Sequence, residues 1–265
     1  MKINNLTVIG AGNMGGSIVN GIIKSGYLPA SSIFIGAPRE ATRMQFESKG
    51  VKAYEDDRQA AKQSDTIILA VKPSQTKMVM DIIRPELSED KILISIVSGL
   101  YLDKLYDLSG KKSKVFRLMP NTAISIQESM TCIATNEKSE ETISLVQELF
   151  DQLGKTIVIP EDMMSSATVL ASCGTAYALR YARACMEGGI EMGFKADMAQ
   201  FMTAQTIKGA AQMLLENGNH PEQEIDKVST PKGITISGLN EMEHNGFSSS
   251  IIKGLISAYN KAEKK

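Results

Sequence analysis

Over the first 160 positions, apolar residues gather in short continuous runs, with polar stretches between them. The runs cover 6–9, 33–35, 66–71, 92–97, 115–118, 131–134 and 156–159. Runs of this length predict strands buried on both faces. Between most of them apolar residues recur at helical spacing, as in 75–83 and 142–153. Alternation of this kind predicts an α/β domain, a doubly wound parallel sheet covered by helices on both faces. Its connections should be right-handed and its ligands should lie at the carboxyl ends of the strands.

The pattern changes after Pro160, and from Ser165 onward no strand is predicted. Positions 167–192 and 196–217 read as long helices, stopped by Gly193 and Gly218. Shorter helices are expected over 220–228, 236–243 and 248–262. The chain therefore divides into a ligand-binding α/β domain over 1–160 and an all-helical domain over 161–265, with no flexible linker between them. The helical part is rich in small residues and methionine, among them Ala176, Ala178, Ala182, Ala184, Gly188, Gly189, Ala210 and Ala211. About 100 residues with so few large side chains bury little apolar area alone. A subunit interface is favoured over a self-contained core.

The first run leads directly into Gly10-x-Gly12-x-x-Gly15, and apolar residues at 18, 19, 22 and 23 then continue at helical spacing. Strand, glycine turn and helix in this order form the cradle of a dinucleotide pyrophosphate. Gly10 allows the turn, Gly12 lets the backbone approach the phosphates, and Gly15 lets the helix pack closely. The first amides of the helix then face the negative charge. The competing reading is a glycine turn without a ligand. An NAD site usually carries an acid at the end of the second strand. Here that position reads Ile35-Gly36-Ala37-Pro38-Arg39-Glu40, with no acid directly after Ile35. Arg39 is placed to pair with a 2′-phosphate, which favours NADPH and leaves NADH as the alternative; a solvated helix-start arginine is the plainer reading.

Two further loops close predicted strands. In Ala70-Val71-Lys72-Pro73 the proline turns the chain so that Lys72 points into the cleft, although a lysine after a strand is most often solvated. In Arg117-Leu118-Met119-Pro120-Asn121-Thr122 the Asn121 amide is suited to a carboxamide. Between His220 and Leu239 a helix ends near Val228, a Ser229-Thr230-Pro231-Lys232-Gly233 turn follows, and a new helix starts near Thr235. Free amides at Gly233, Ile234 and Thr235 would make a compact carboxylate site, with Thr235 as a plain N-cap in the competing reading. A hydroxyl-rich loop of this kind over a nicotinamide would suit a small amino-acid-like anion.

The 265 residues are 43% hydrophobic and 22% charged, which allows a sizeable core. Twenty-nine basic and 30 acidic residues give a net charge of −1, so neither a nucleic-acid nor an anionic-membrane surface is expected. Cys132, Cys173 and Cys185 form no CxxC and no even framework, which points to a reducing compartment. No targeting segment or apolar run long enough for a bilayer stands out, so a cytoplasmic location is expected. His220, before a proline at a helix start, reads as structural, and no metal is expected.

The sequence resembles the pyrroline-5-carboxylate reductase family over nearly its whole length. The resemblance rests on Gly10-Ala-Gly-Asn-Met-Gly15, Ala70-Val-Lys-Pro73, Arg117-Leu-Met-Pro-Asn-Thr122, Gly174 with Ala176-Tyr177, and the stretch from His220-Pro221 to Gly238. It implies an N-terminal Rossmann domain, a C-terminal all-helical dimerisation domain, active sites between subunits and, in some members, pentamers of dimers. It also implies that Gly10, Ala11, Gly12, Asn13 and Met14 hold the pyrophosphate. Ala70, Lys72 and Pro73 line the nicotinamide end, with Asn121 close by. The backbone of Gly233, Ile234 and Thr235 binds the substrate carboxylate, and the Thr235 hydroxyl meets the ring nitrogen. Ser229 and Thr230 shape the loop, and Lys72 and Thr235 are the candidate catalytic residues. The chain departs from the family pattern at Lys232, Ile234, Thr175 and Ala123. The alternatives are a two-domain imine or 3-hydroxyacid reductase and a non-catalytic NADP(H) sensor. No Lys or His stands in 174–192, which counts against the hydroxyacid chemistry.

Overall fold

The computed structural model describes residues 2–263. Its strands are β1 (Leu6–Ile9), β2 (Ile33–Gly36), β3 (Lys52–Tyr54), β4 (Thr66–Leu69), β5 (Ile92–Ser95), β6 (Lys114–Met119), β7 (Ser129–Thr135) and β8 (Gly154–Val158). They form one sheet in the order β3-β2-β1-β4-β5-β6-β7-β8. The order reverses across β1, where a doubly wound sheet opens its ligand crevice.

Continuous apolar runs become central strands because helices cover both faces. Every residue of β1, β2, β4 and β5 is buried. Side chains alternate between two cores: Leu6, Val8, Ile35 and Ile68 belong to one, and Ile9, Ile67, Leu69 and Leu93 to the other. The covering helices are α1 (Asn13–Ser25), α2 (Glu40–Glu47), α3 (Asp57–Ala61), α4 (Thr76–Ile83), α5 (Leu102–Leu108) and α6 (Glu140–Asp151).

Two features depart from the sequence expectation. Strand β3 carries no apolar run: it is a three-residue edge strand with no buried residue. Strand β7 runs antiparallel to β6, so the sheet is not wholly parallel. The link between them is a short 3₁₀ turn at Thr122–Ile126, and a parallel return needs a crossover of a dozen residues or more. Helix α6 supplies such a crossover, and β8 lies parallel to β7.

Internal contacts divide the chain after Cys173 rather than after 160. A short helix α7 (Met164–Ala167) and a π-helical stretch over Thr168–Cys173 belong to the first unit, because Met164 and Val169 are buried and Ala167 and Ala171 pack on the sheet's core. The helix expected over 167–192 is thus interrupted by π turns.

The second unit holds α8 (Gly174–Glu191), α9 (Ala196–Asn217), α10 (Pro221–Val228), α11 (Ile234–His244) and α12 (Phe247–Glu263). Small residues let α8 and α9 approach closely: a Cβ on Gly189 would stand 3.0 Å from Ala199 Cβ. Gly218 ends α9 in the left-handed conformation, φ 63°. His220 caps α10, its Nδ1 accepting from the Glu222 amide at 3.2 Å, which gives it the expected structural role. From Gly174 onward only Gly189, Ala199 and Glu224 are buried among the described residues. Leu179, Phe201, Leu215 and Ile252 are each more than half exposed. So large an apolar surface on a folded unit marks an interaction face.

Candidate active site

The glycine turn fills the crevice at β1. Gly10 takes φ +94° and donates its amide to Gly36 O at 2.9 Å, so the first glycine lies directly beside the end of β2. A Cβ on Gly10 would come within 2.7 Å of Ala70 O, and one on Gly15 would collide with Gly10 O. Both glycines are therefore demanded by packing. Gly12 differs, since a Cβ there would meet nothing within 4 Å. Its open side is where a phosphate needs room. Gly12 also caps α1 without a side-chain bond, and no acid stands in the first turn. The leading amides of α1, from Asn13 and Met14 onward, thus have no intrahelical acceptor. The residues fit a dinucleotide.

A cleft of about 250 Å³ opens over this turn. It is lined by Gly10, Ala11 and Gly12, by Arg39 beyond β2, and by Ala70 and Lys72 beyond β4. Ala70 is tied to β1, its amide donating to Ile9 O at 2.8 Å. Pro73 opens the 3₁₀ turn after Lys72, as the sequence suggests, and is not among the lining residues. Of the two nearby arginines only Arg39 faces the cleft without a bond of its own. Arg43 donates to Ala37 O and Pro38 O at 3.0 and 2.9 Å.

Asp57, the first residue of α3, also lines the cleft, and sequence reasoning missed it. Its Oδ1 is buried without a hydrogen-bond partner and packs on Gly36, where any Cβ would collide with it. Burial, with the like charge of Asp56 adding to it, pushes the carboxyl up to about 6. The signal was present only as a bare glycine ending β2.

Asn121 lies outside the cleft. Its Oδ1 accepts from the Ala123 amide at 3.0 Å and its Nδ2 donates to Ala171 O at 3.2 Å. The amide expected to meet a carboxamide instead holds the 3₁₀ turn and the π-helical stretch in place.

In the second unit the helix cap before α11 lies two residues earlier than expected. Gly233, not Thr235, caps the helix, and its amide donates to Thr230 O at 2.9 Å. Gly233 therefore has no free amide. The unpaired first-turn amides belong to Ile234, Thr235 and Ile236. Gly233 is required by closeness, since a Cβ would fall 2.5 Å from Thr230 Oγ1. Lys232 stands at φ 60°, a left-handed conformation unusual for a side chain of its kind. The Ser229 hydroxyl is buried and unpartnered, and Ile234 is 93% exposed.

Comparison with known proteins agrees with both halves. A family model described as pyrroline-5-carboxylate reductase dimerisation matches residues 161–265, so its edge falls where the strand pattern stops. One described as NADP oxidoreductase coenzyme F420-dependent matches residues 5–99. Pyrroline-5-carboxylate reductase 2 of Dictyostelium discoideum is 38% identical, over 98% of this chain and 92% of its own. Reductase 1 of that organism is also 38% identical over 98% of this chain, which spans only 49% of that longer relative. The solved pyrroline-5-carboxylate reductase of Coxiella burnetii aligns with a TM-score of 0.93 at 31% identity, covering 99% of this chain and 98% of that one. On full-length identity, matching fold and a dinucleotide cradle, this chain belongs to the pyrroline-5-carboxylate reductase family.

Proposed function

We propose that the chain reduces the C=N bond of 1-pyrroline-5-carboxylate with NAD(P)H, yielding proline. The observation that carries this reading is the cradle at Gly10, Gly12 and Gly15, with open space at Gly12 alone, in a chain that also bears the family's dimerisation module. When bound, the coenzyme supplies a hydride from nicotinamide C4 to the imine carbon. The protein supplies orientation and charge. Gly10, Ala11, Gly12, Asn13 and Met14 hold the pyrophosphate, and Arg39 borders the adenosine end. Ala70 and Lys72 line the nicotinamide end, and Pro73 fixes the turn that follows Lys72. The Ile234 and Thr235 amides grip the substrate carboxylate, and the bond from Gly233 to Thr230 O keeps them aimed. The Thr235 hydroxyl meets the ring nitrogen, which arrives protonated and ends as the secondary amine. No side chain then needs to be a strong acid.

The exposed apolar faces of the helical unit support a homodimer through α8 to α12, with a decamer as the larger assembly. No described helix is long and apolar enough to cross a membrane, and our reading takes the enzyme as cytoplasmic, without a nucleic-acid or membrane partner. The test is loss of nicotinamide absorbance when purified protein meets NADPH and pyrroline-5-carboxylate. Turnover only with 2-keto or 3-keto acids, or nucleotide binding with no turnover, overturns the proposal.

A further inference from the structure

Asp57 occupies the place that the sequence leaves vacant. A Rossmann site reads the adenosine ribose with an acid at the carboxyl end of β2, beside the first glycine of the turn. In this chain β2 ends in Gly36, which is paired to Gly10 through a 2.9 Å bond and has no side chain. The bare Cα leaves room for a carboxylate from elsewhere, and α3 delivers one. Asp57 Oδ1 lies against Gly36, buried, with no partner in the protein, and its residue lines the same cleft as Gly10, Gly12 and Arg39. A buried acceptor with nothing to accept from is costly unless a ligand satisfies it.

We propose, on the reading of this cleft as the nucleotide site, that Asp57 sets the choice between NADH and NADPH by accepting from the adenosine ribose hydroxyls and opposing a 2′-phosphate. A ribose diol offers donors to the carboxylate. A 2′-phosphate puts a second negative charge where water is scarce and like charges repel strongly. Arg39, which lines the same opening, pulls the other way, so the preference is a balance of two side chains. Asp56, next to Asp57, uses its carboxylate to accept from the Arg58 amide at 2.9 Å and does not substitute for it.

The test is equilibrium binding of NADH and NADPH to the purified protein, to Asp57→Asn and to Asp57→Ser, each checked for parental circular dichroism. Both variants keep a polar group and lose the charge. The expected result is at least a tenfold shift of the affinity ratio toward NADPH in either variant, with NADH binding weakened several-fold. A ratio within threefold of the parent in a folded variant, with both nucleotides still binding, overturns the role of Asp57 and leaves the nucleotide site standing. Failure of the parent to bind either nucleotide overturns the site itself, and the proposal with it.

Discussion

Replacing Glu161 by alanine tests how the segment after the sheet is fastened. Glu161 Oε1 accepts from Arg117 Nη1 at 2.9 Å and from the Leu102 amide at 2.8 Å, so one oxygen joins β6, the start of α5 and the chain beyond β8. The Arg117 side chain is 6% exposed, its Nε has no partner, and its guanidinium lies 4.4 Å from the Tyr101 ring centre. Removing the carboxylate strands a buried cation, a change that costs about 3–5 kcal/mol in a fully buried pair. Glu161 is 25% exposed, so water partly replaces it and about 2 kcal/mol is expected for the pair. The unmatched Leu102 amide adds about 1 kcal/mol. The total of about 3 kcal/mol corresponds to a fall of roughly 6–12 °C in Tm for a unit of this size. Glu161→Gln keeps an acceptor oxygen and is expected to lose about half as much. Urea and thermal unfolding of both variants provide the measurement. Equal loss in the two, or a loss under about 1 kcal/mol for alanine, would refute the argument that the stranded charge dominates.

The glycine turn predicts a contrast. Gly15→Ala drives a methyl into Gly10 O and should lower Tm and weaken nucleotide binding together, whereas Gly12→Ala meets open space, should leave Tm unchanged, and should weaken NADPH binding at least tenfold. Fluorescence titration beside thermal melts separates the two. Asp57 ionises near 3.8 unfolded and about 6 folded, so its contribution is fully present below 3.8 and is lost as pH rises through 6. Asp57→Asn should match the parent near pH 4 and exceed it by about 1–2 kcal/mol at pH 8, discounted for partial exposure; urea midpoints that differ equally at both pH values would defeat this. Thr235→Ala should reduce kcat/KM about 10- to 100-fold, the loss of one substrate hydrogen bond, with the NADPH Kd unchanged. Equal loss of both removes Thr235 from its proposed role.

The central strands and the glycine cradle could be read before the structure because burial on both faces writes itself as continuous apolar runs, and the cradle's geometry needs glycine at fixed offsets. Strand β3 left no such mark, since an edge strand of one exposed and two half-buried residues needs no apolar run. The direction of β7 depends on the length of the preceding link, not on its own residues. Asp57 and Gly36 are neighbours only in space, 21 positions apart, so no local pattern pairs them. The loop before α11 was placed correctly as a helix start. The Gly233 amide was misjudged because its use by Thr230 O is a turn bond, invisible until the backbone closes. Asn121 reads as a strand-end amide, but the acceptor of its Nδ2, Ala171 O, lies 50 residues away.

The helical unit keeps only three residues out of water among those described. Burial on that scale cannot offset the entropy of ordering some 90 residues. Under the proposed homodimer, folding of this half and association of two copies are one equilibrium, governed by mass action. Each tenfold dilution of such a dimer removes about 1.4 kcal/mol from its apparent stability. Melting temperature would therefore rise with protomer concentration, and a sufficiently dilute sample would lose this half while the sheet, with cores of its own, stays folded.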